Sequence, residues 1–230
     1  MSQAEPVCAT SILLCATRIT RLNLNGSLAA GPNNCYVTNS PVSLQFSPNI
    51  KTGVTEQVVG GCGCVCVSYK GPDTLLYFDM TWSFCKDEPG LYEIMAGMAL
   101  VTDDSDVPVP IGNSWANQLS CNLPSQPPFA IEAWAQNFID DHQVPDPAAY
   151  TRYVWPMAFA NVDQQTLGSA FTLPGLKGWT RTNPLWPADG AIYNDYPAGA
   201  VLEQGGGKFQ DSSDHVPIAE CAYQTASSAA

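Results

Sequence analysis

The segment 74–85 alternates between apolar and polar side chains, and this alternation constrains the fold more than any other feature of the chain. Its apolar positions are Leu76, Phe78, Met80, Trp82 and Phe84, and its polar positions are Tyr77, Asp79, Thr81 and Ser83. Successive side chains of a β-strand point to opposite faces of the sheet. A period of two over this length therefore predicts a strand with one buried face and one polar face.

The preceding segment, 54–69, is predicted to be a long strand that pairs with 74–85. Gly71-Pro72-Asp73 lies between the two segments and has the composition of a tight turn. Gly60 and Gly61, in the middle of 54–69, indicate a bulge or a bend within that strand. We therefore expect a long β-hairpin over 54–85.

A short helix is predicted directly after this hairpin. Asp87 is a suitable N-cap residue, and Pro89 falls in the first turn, where a missing amide hydrogen costs little. Apolar side chains then recur at helical spacing, at Leu91, Ile94, Met95 and Met98. This spacing indicates that one face of the helix packs onto the sheet.

The remaining pattern predicts a mainly β protein, an antiparallel β-sandwich or barrel with one short flanking helix. Further strands are predicted at 17–23, 36–50, 129–139 and 150–162, with one more within 168–182. We divide the chain into an N-terminal arm (1–15), a β domain (16–183) and a C-terminal extension (184–230). The segment 99–128, rich in proline and aspartate, is predicted to be a long loop.

The chain has few charged residues, and most of them are acidic. Charged residues make up 13% of the sequence, compared with about 25% in typical soluble domains, and the net charge is −12. Arg18 and Arg21 are the nearest approach to a basic cluster, which argues against a protein that grips nucleic acid by neutralising phosphates. A channel lined with acidic residues would instead repel DNA, so that DNA could pass through it without being bound.

The N-terminal residues do not have the pattern of a secretory signal, because Glu5 and Pro6 precede the apolar run 12–14 and no basic residue does. No segment approaches the roughly 20 apolar residues that a membrane-spanning helix needs. We therefore expect a chain that is made in a cytoplasm and does not enter a membrane.

Nine cysteines, three of them in Cys62-Gly-Cys64-Val-Cys66, raise the alternatives of a metal site, a redox site and buried thiols. Residues i and i+2 of a strand lie about 6.6 Å apart, whereas two sulfurs on one tetrahedral zinc lie about 3.8 Å apart and are usually supplied by Cys-x2-Cys. His142 and His215 follow no ligand spacing. We therefore expect core thiols that act as small apolar side chains.

The other candidate catalytic and ion-binding motifs are incomplete. Asp140-Asp141-His142 lies in a proline-rich turn, and no serine stands in a Gly-x-Ser-x-Gly elbow. The acidic run 103–106 lacks the glycine and glutamate of an EF-hand calcium loop. Gly205–Lys208 lacks the spacing and the Ser/Thr of a phosphate-binding P-loop. We expect no enzymatic activity, no metal and no cofactor.

Four short segments follow one another in a recognisable order. They are Ala-Thr-Arg-Ile-Thr-Arg-Leu at 16–22, Gly-Pro-Asn-Asn at 31–34, Cys-Val-Ser-Tyr-Lys at 66–70, and a strand, Cys, Asp, Pro, helix and Gly block at 81–97. Through this order, residues 16–100 resemble the major tail tube proteins of long-tailed, siphovirus-type bacteriophages of actinobacteria. The three-cysteine segment and the loop 99–128 depart from that pattern.

The resemblance implies a β-sandwich that assembles into hexameric rings, which stack into the tail tube of a virion. Each subunit would contribute its long hairpin to a barrel shared around the ring, and DNA would pass through the lumen without specific binding. We expect the polar hairpin residues Glu56, Asp79, Thr81 and Ser83 to face the lumen or a neighbouring subunit. The arm, the long loop and the extension are expected to order on neighbouring subunits.

The implied partners are further copies of the chain and other tail proteins: the tape measure, terminator and distal tail proteins. The implied location is the virion tail, after synthesis in the host bacterial cytoplasm. Two alternatives remain at this point. One is another β-rich virion protein that decorates the capsid or completes the head. The other is a secreted, disulfide-bonded hydrolase or binding module, prompted by six Trp, nine Tyr and nine Cys.

Overall fold

The computed structural model of the protein describes residues 10–105, 108–115, 126–139, 144–163, 173–186, 202, 205–217 and 222–224. The strands are β1 (Thr10–Arg21), β2 (Cys35–Thr38), β3 (Pro41–Lys51), β4 (Thr55–Val59), β5 (Val65–Lys70), β6 (Thr74–Phe84), β7 (Ala99–Thr102), β8 (Pro110–Ser114), β9 (Phe129–Ile139), β10 (Val144–Val162), β11 (Gly175–Thr180), β12 (Gly207–Ser212) and β13 (Ala222–Gln224). One α-helix, α1 (Pro89–Ala96), and a 3-10 helix (Ser213–His215) accompany them.

Nine strands form one antiparallel sheet in the order β13-β2-β1-β9-β10-β11-β6-β3, with β12 also paired to β10. The sheet folds over so that Phe46 of β3 contacts Trp155 of β10, with ring centroids 5.2 Å apart. No strand pairing among the described residues closes the sheet into a barrel. The predicted fold class, mainly antiparallel β with one flanking α-helix, is confirmed.

The predicted pairing of 54–69 with 74–85 is wrong. β6 pairs instead with β3, in a register that runs from Pro41 opposite Phe84 to Lys51 opposite Thr74. The segment 54–69 is not one strand: β4 and β5 pair with each other in a separate two-stranded sheet. The tight turn predicted at Gly71-Pro72-Asp73 is wrong as well, because the chain does not reverse there: Thr55 opposite Lys70 is followed by Lys51 opposite Thr74, so β5 leads on into β6 in the same direction.

The helix α1 covers the folded sheet with the face that the sequence predicts. Leu91, Ile94, Met95 and Met98 are all buried. The predicted cap is wrong, however, because the N-cap residue is Glu88 and its side chain makes no capping hydrogen bond. Its carboxylate instead accepts a hydrogen bond from the Thr38 hydroxyl at 3.0 Å, which ties the start of the helix to β2.

Parts of the predicted arm, loop and extension belong to this subunit's own fold. Residues 10–15, assigned to the arm, lie in β1, which pairs with β9. The predicted loop 99–128 contains the β7–β8 hairpin. In the predicted extension, β12 pairs with β10 and β13 pairs with β2. Local apolar periodicity is weak in these segments and therefore did not predict their strands.

The last strand is held by Tyr223, whose hydroxyl donates to a carboxylate oxygen of Glu93 at 2.6 Å. Burial, together with this hydrogen bond, raises the pKa of the Tyr223 phenol well above its usual range. The Tyr223 ring also meets the Tyr36 ring edge to face, at 5.3 Å. C-terminal residues are thereby fixed to α1 and β2 of the same chain.

A buried ion-pair network lies on the other face of the sheet from α1. The Glu132 carboxylate accepts a hydrogen bond from Arg18 at 2.7 Å and pairs with Arg152. Arg152 also pairs with Asp211 at 3.2 Å, and both arginines stack on the Trp134 ring. Sequence analysis did not anticipate this network, which joins β1, β9, β10 and β12.

The described helices are too short to cross a membrane. The strand predicted within 168–182 is present as β11 at Gly175–Thr180. Residues 168–172 of the predicted range lie outside the described part of the chain.

Candidate assembly surface

The β3–β6 hairpin carries the polar face that the alternation of β6 predicts. Partners directly opposite in the register present their side chains on the same face. Asp79 lies opposite Ser47 on β3 and Trp179 on β11, while Thr81 lies opposite Gln45 and Lys177. We call the polar residues of this three-stranded face the polar stripe, and Trp179 lies beside them on the same face. The members of the stripe are Ser43, Gln45, Ser47, Asn49, Tyr77, Asp79, Thr81, Ser83 and Lys177.

Three of the four predicted surface residues lie together on the polar stripe. Asp79 is exposed, and Thr81 and Ser83 are half-buried. Asn49 donates hydrogen bonds to Asp79 at 3.3 Å and to the Tyr77 hydroxyl at 3.1 Å. The stripe is thus an ordered, hydrogen-bonded surface whose side chains remain accessible to a neighbouring molecule.

The opposite face of β6 is buried only along half of the strand. Met80, Trp82 and Phe84 are no more than 2% exposed. Leu76, at the other end of this face, is 53% exposed, and its neighbour Leu75 is 51% exposed. The predicted alternation therefore describes the part of β6 that lies over the core, whereas its beginning extends beyond the core with apolar side chains in solvent.

A narrow neck connects the β3–β6 hairpin to the β4–β5 ribbon. Asp73 accepts a hydrogen bond from the Gly53 amide at 2.9 Å and pairs with Lys70 at 3.3 Å. The Gly71 amide donates to the Val54 carbonyl at 2.9 Å. A Cβ on Gly53 would lie 2.0 Å from the Gly71 carbonyl oxygen, so only glycine allows the two chain segments to approach this closely.

The β4–β5 ribbon is exposed along both of its strands. Every residue of β4 and β5 is exposed, because this two-stranded sheet does not pair with the main sheet. Glu56, the fourth predicted surface residue, lies here opposite Tyr69 and not on the polar stripe. The structure therefore does not bring Glu56 together with Asp79, Thr81 and Ser83.

Apolar side chains cover much of this exposed ribbon. Val58 lies directly opposite Val67, and these side chains are 60% and 59% exposed. Tyr69, Val59 and Val65 are exposed to between 53% and 59%. Isolated two-stranded hairpins are marginally stable in water, and contiguous exposed apolar surface usually marks an interaction site. The ribbon has the properties of a contact surface.

The prediction that Cys62, Cys64 and Cys66 are core thiols is wrong, since all three are exposed. The Gly60 amide donates to the Cys64 carbonyl at 2.8 Å, and the Gly63 amide donates to the Gly60 carbonyl at 2.9 Å. The glycines therefore reverse the chain direction, where the sequence had suggested only a bulge. This reversal takes the thiols to the end of the ribbon. Cys35, in contrast, is buried in β2.

The other candidate motifs do not form a catalytic or metal site in the described residues. Asp103 accepts hydrogen bonds from the Val109 amide and from the Ser105 hydroxyl, both at 2.8 Å, and these bonds lower the pKa of its carboxyl. It thereby closes the β7–β8 hairpin. Residues 140–142 lie outside the described part of the chain. Among the described residues, no group of three or more His, Cys, Asp or Glu side chains is placed to hold a metal ion.

Sequence analysis missed the ribbon as a surface of its own, although a signal for it was present. Gly60, Gly61 and Gly63 lie close together, with β-branched residues on both sides. Such a pattern is typical of a short hairpin whose turn is rich in glycine. Comparison with protein-family models finds no match to this chain, and comparison with curated proteins finds none either.

Proposed function

We propose that this chain is a structural subunit of a bacteriophage tail tube, which assembles with copies of itself into stacked hexameric rings. The observation that carries the proposal is the extended β3–β6 hairpin, which ends in a ribbon whose residues are all exposed. The order of sequence segments over 16–100 supports the same family. No enzymatic activity is proposed.

The ribbon favours assembly because it gains stability only when another surface covers it. Folding orders its backbone at a cost of about 1–2 kcal/mol per residue, and within one subunit its valines bury little surface in return. Contact with a second copy would remove Val58 and Val67 from water. It would also remove the exposed edges that otherwise invite uncontrolled strand pairing.

The free edge of β3 offers a second route to assembly. β3 is the last strand of the main sheet, and among the described residues its only sheet partner is β6. A strand from a neighbouring copy could pair along this edge, and repetition of a head-to-tail contact closes into a ring. A barrel closed in this way has no exposed edges.

The charge distribution suits a conduit for DNA. Five of the nine Lys and Arg residues form ion pairs with carboxylates: Arg18, Arg21, Lys70, Arg152 and Lys177. Lys177, the one cation of the polar stripe, is among them, paired with Asp163 at 2.8 Å. A stripe with so little unpaired positive charge would contact a phosphate backbone without binding it strongly.

In this proposal, Asp79, Thr81 and Ser83 face the lumen or an adjacent subunit, and Glu56 lies at a contact of the ribbon. The partners are other copies of the chain, with the tape measure, terminator and distal tail proteins at the tube's ends. The location is the virion. The secreted, disulfide-bonded alternative gains no support, because no disulfide joins cysteines within the described residues.

Sedimentation velocity over a wide concentration range tests the proposal. We expect the purified chain to pass from a monomer of 24.6 kDa to hexamers and larger species as concentration rises. Negative-stain images of the largest species should show tubes of uniform width. A protein that remains monomeric throughout would contradict the proposal. A compact oligomer that never elongates would favour the capsid-decoration or head-completion alternative.

A further inference from the structure

The end of the β4–β5 ribbon, residues 58–68, concentrates reactive side chains at one sterically open place. Its three thiols, Cys62, Cys64 and Cys66, are all exposed. Cys62 lies between Gly61 and Gly63, and a Cβ on either glycine would meet no other atom within 4 Å. No bulky side chain therefore adjoins the Cys62 thiol in sequence, and a partner of any shape can approach it.

Disulfides within one ribbon tip cannot pair all three of its thiols. Cys66 is the extra residue of a bulge, since Val58 pairs with Val67 and Val59 with Val65. Its thiol contacts the Cys64 carbonyl oxygen at 3.8 Å, so it is directed at the backbone of Cys64 and not at the Cys64 thiol. Because the tip has three thiols, at least one of them has no disulfide partner within the same tip.

The ribbon tip is also suited to contact with the ribbon tip of another copy of the chain. Residues 58–68 contain no Asp, Glu, Lys or Arg, although the whole chain carries a net charge of −12. Two copies would repel each other over most of their surfaces but not at their tips. The exposed Val58–Val67 pair supplies apolar area at the same place. Another copy of the chain therefore fits this surface better than a charged partner does.

We propose that the ribbon tip is a covalent cross-linking site, at which a Cys62 thiol forms a disulfide with a tip thiol of a second copy. This inference rests on the proposed function, because assembly brings copies together. In a reducing cytoplasm the thiols stay reduced, and cross-links form when the assembled tube reaches an oxidising environment. The cross-links would then hold neighbouring copies together after release.

The chemistry requires an oxidant, which we take to be a low-molecular-weight disulfide. One tip thiolate attacks it, forming a mixed disulfide and releasing one small thiol. A tip thiolate of the second copy then attacks the protein sulfur of that mixed disulfide and releases the second small thiol. Two protein S–H bonds are lost and one protein S–S bond is formed. The two electrons and two protons end on the small disulfide, which is reduced to two thiols.

Oxidation of the full chain with oxidised glutathione, followed by non-reducing electrophoresis and peptide mass spectrometry, tests the inference. We expect wild-type protein at assembling concentrations to give dimers and larger bands that a reductant removes, with Cys62 in the cross-linked peptides. Cys62→Ser should weaken these bands, and the triple variant Cys62→Ser, Cys64→Ser, Cys66→Ser should lose them. Cys85→Ser, which removes an exposed thiol outside the ribbon, is the matched control and should keep them.

Equal cross-linking of the triple variant would overturn the inference, as would a wild-type protein that acquires only glutathione adducts. Sedimentation of the same samples separates this failure from failure of the proposed function. Tubes that form without cross-links would refute the cross-linking site but not the proposed tube function. Cross-linked pairs that never form rings would refute the tube function but support the cross-linking site.

Discussion

Glu132→Ala should destabilise the subunit by about 3–5 kcal/mol, the cost of removing one partner from a buried ion-pair network. Glu132 is fully buried, and its carboxylate pairs with both Arg18 and Arg152. Arg152 is also completely buried, and Arg18 is 7% exposed. Removing Glu132 leaves the Arg18 guanidinium in a region that water hardly reaches. Urea unfolding followed by tryptophan fluorescence measures the loss.

Glu56→Ala is the matched control for this prediction. Glu56 is exposed on the ribbon, so its removal should change the free energy of unfolding by less than about 0.5 kcal/mol. Glu132→Gln, which keeps the shape of the side chain but not its charge, provides a milder variant if the alanine protein does not fold. A loss below about 1 kcal/mol for both Glu132 variants would show that the network does not stabilise the sheet.

Val67→Asp should prevent assembly while leaving the monomer folded. Val67 is 59% exposed and lies opposite Val58, so the aspartate is well solvated in the free subunit. In an assembled contact the new carboxylate would lose its water, at a cost of at least about 3 kcal/mol for each contact. That cost corresponds to a loss of more than about 100-fold in the association constant. Sedimentation velocity and negative-stain images measure it.

Leu24→Asp serves as the control, because Leu24 is 63% exposed but lies in the turn after β1 and not on the hairpin. It adds the same charge to an equally solvated position. We expect Leu24→Asp to assemble like the wild-type chain. If Val67→Asp also assembles normally, the ribbon is not a contact surface.

The sequence predicts best where local pattern and long-range packing agree. The alternation of Met80, Trp82 and Phe84 matches their burial, and the spacing of Leu91 and Ile94 matches the buried face of α1. These side chains pack against the core of one subunit, and a period of two or of 3.6 is the direct result of such packing.

The pattern fails where pairing is decided far away in the chain. The contact of Phe46 on β3 with Trp155 on β10 is long-range, and no local pattern predicts it. The pairing of β6 with β3, in contrast, continues the β4–β5 hairpin, since Thr55 opposite Lys70 is followed by Lys51 opposite Thr74. Glu132 and Arg18 are separated by 114 residues, so their ion pair is visible only once β1 and β9 are adjacent.

The candidate surface was predicted in part, and for an identifiable reason. Asp79, Thr81 and Ser83 share a face because they alternate on one strand, and the structure places them together. Glu56 was assigned to that face on the assumption that 54–69 pairs with β6. The chain reverses at Gly60–Gly63, so this assumption is wrong. For the same reason the thiols of Cys62, Cys64 and Cys66 lie at the surface and not in the expected core.

Electron cryomicroscopy of the protein at assembling concentration is the most direct test of the tube. We expect rings with six-fold symmetry, stacked into a hollow tube. The β3–β6 hairpins of adjacent copies should lie side by side, with Asp79, Thr81 and Ser83 facing the bore or the next subunit. A protein that forms no rings would contradict the proposal. A tube whose polar stripe faces the outer solvent, with the hairpins away from the bore, would contradict it equally.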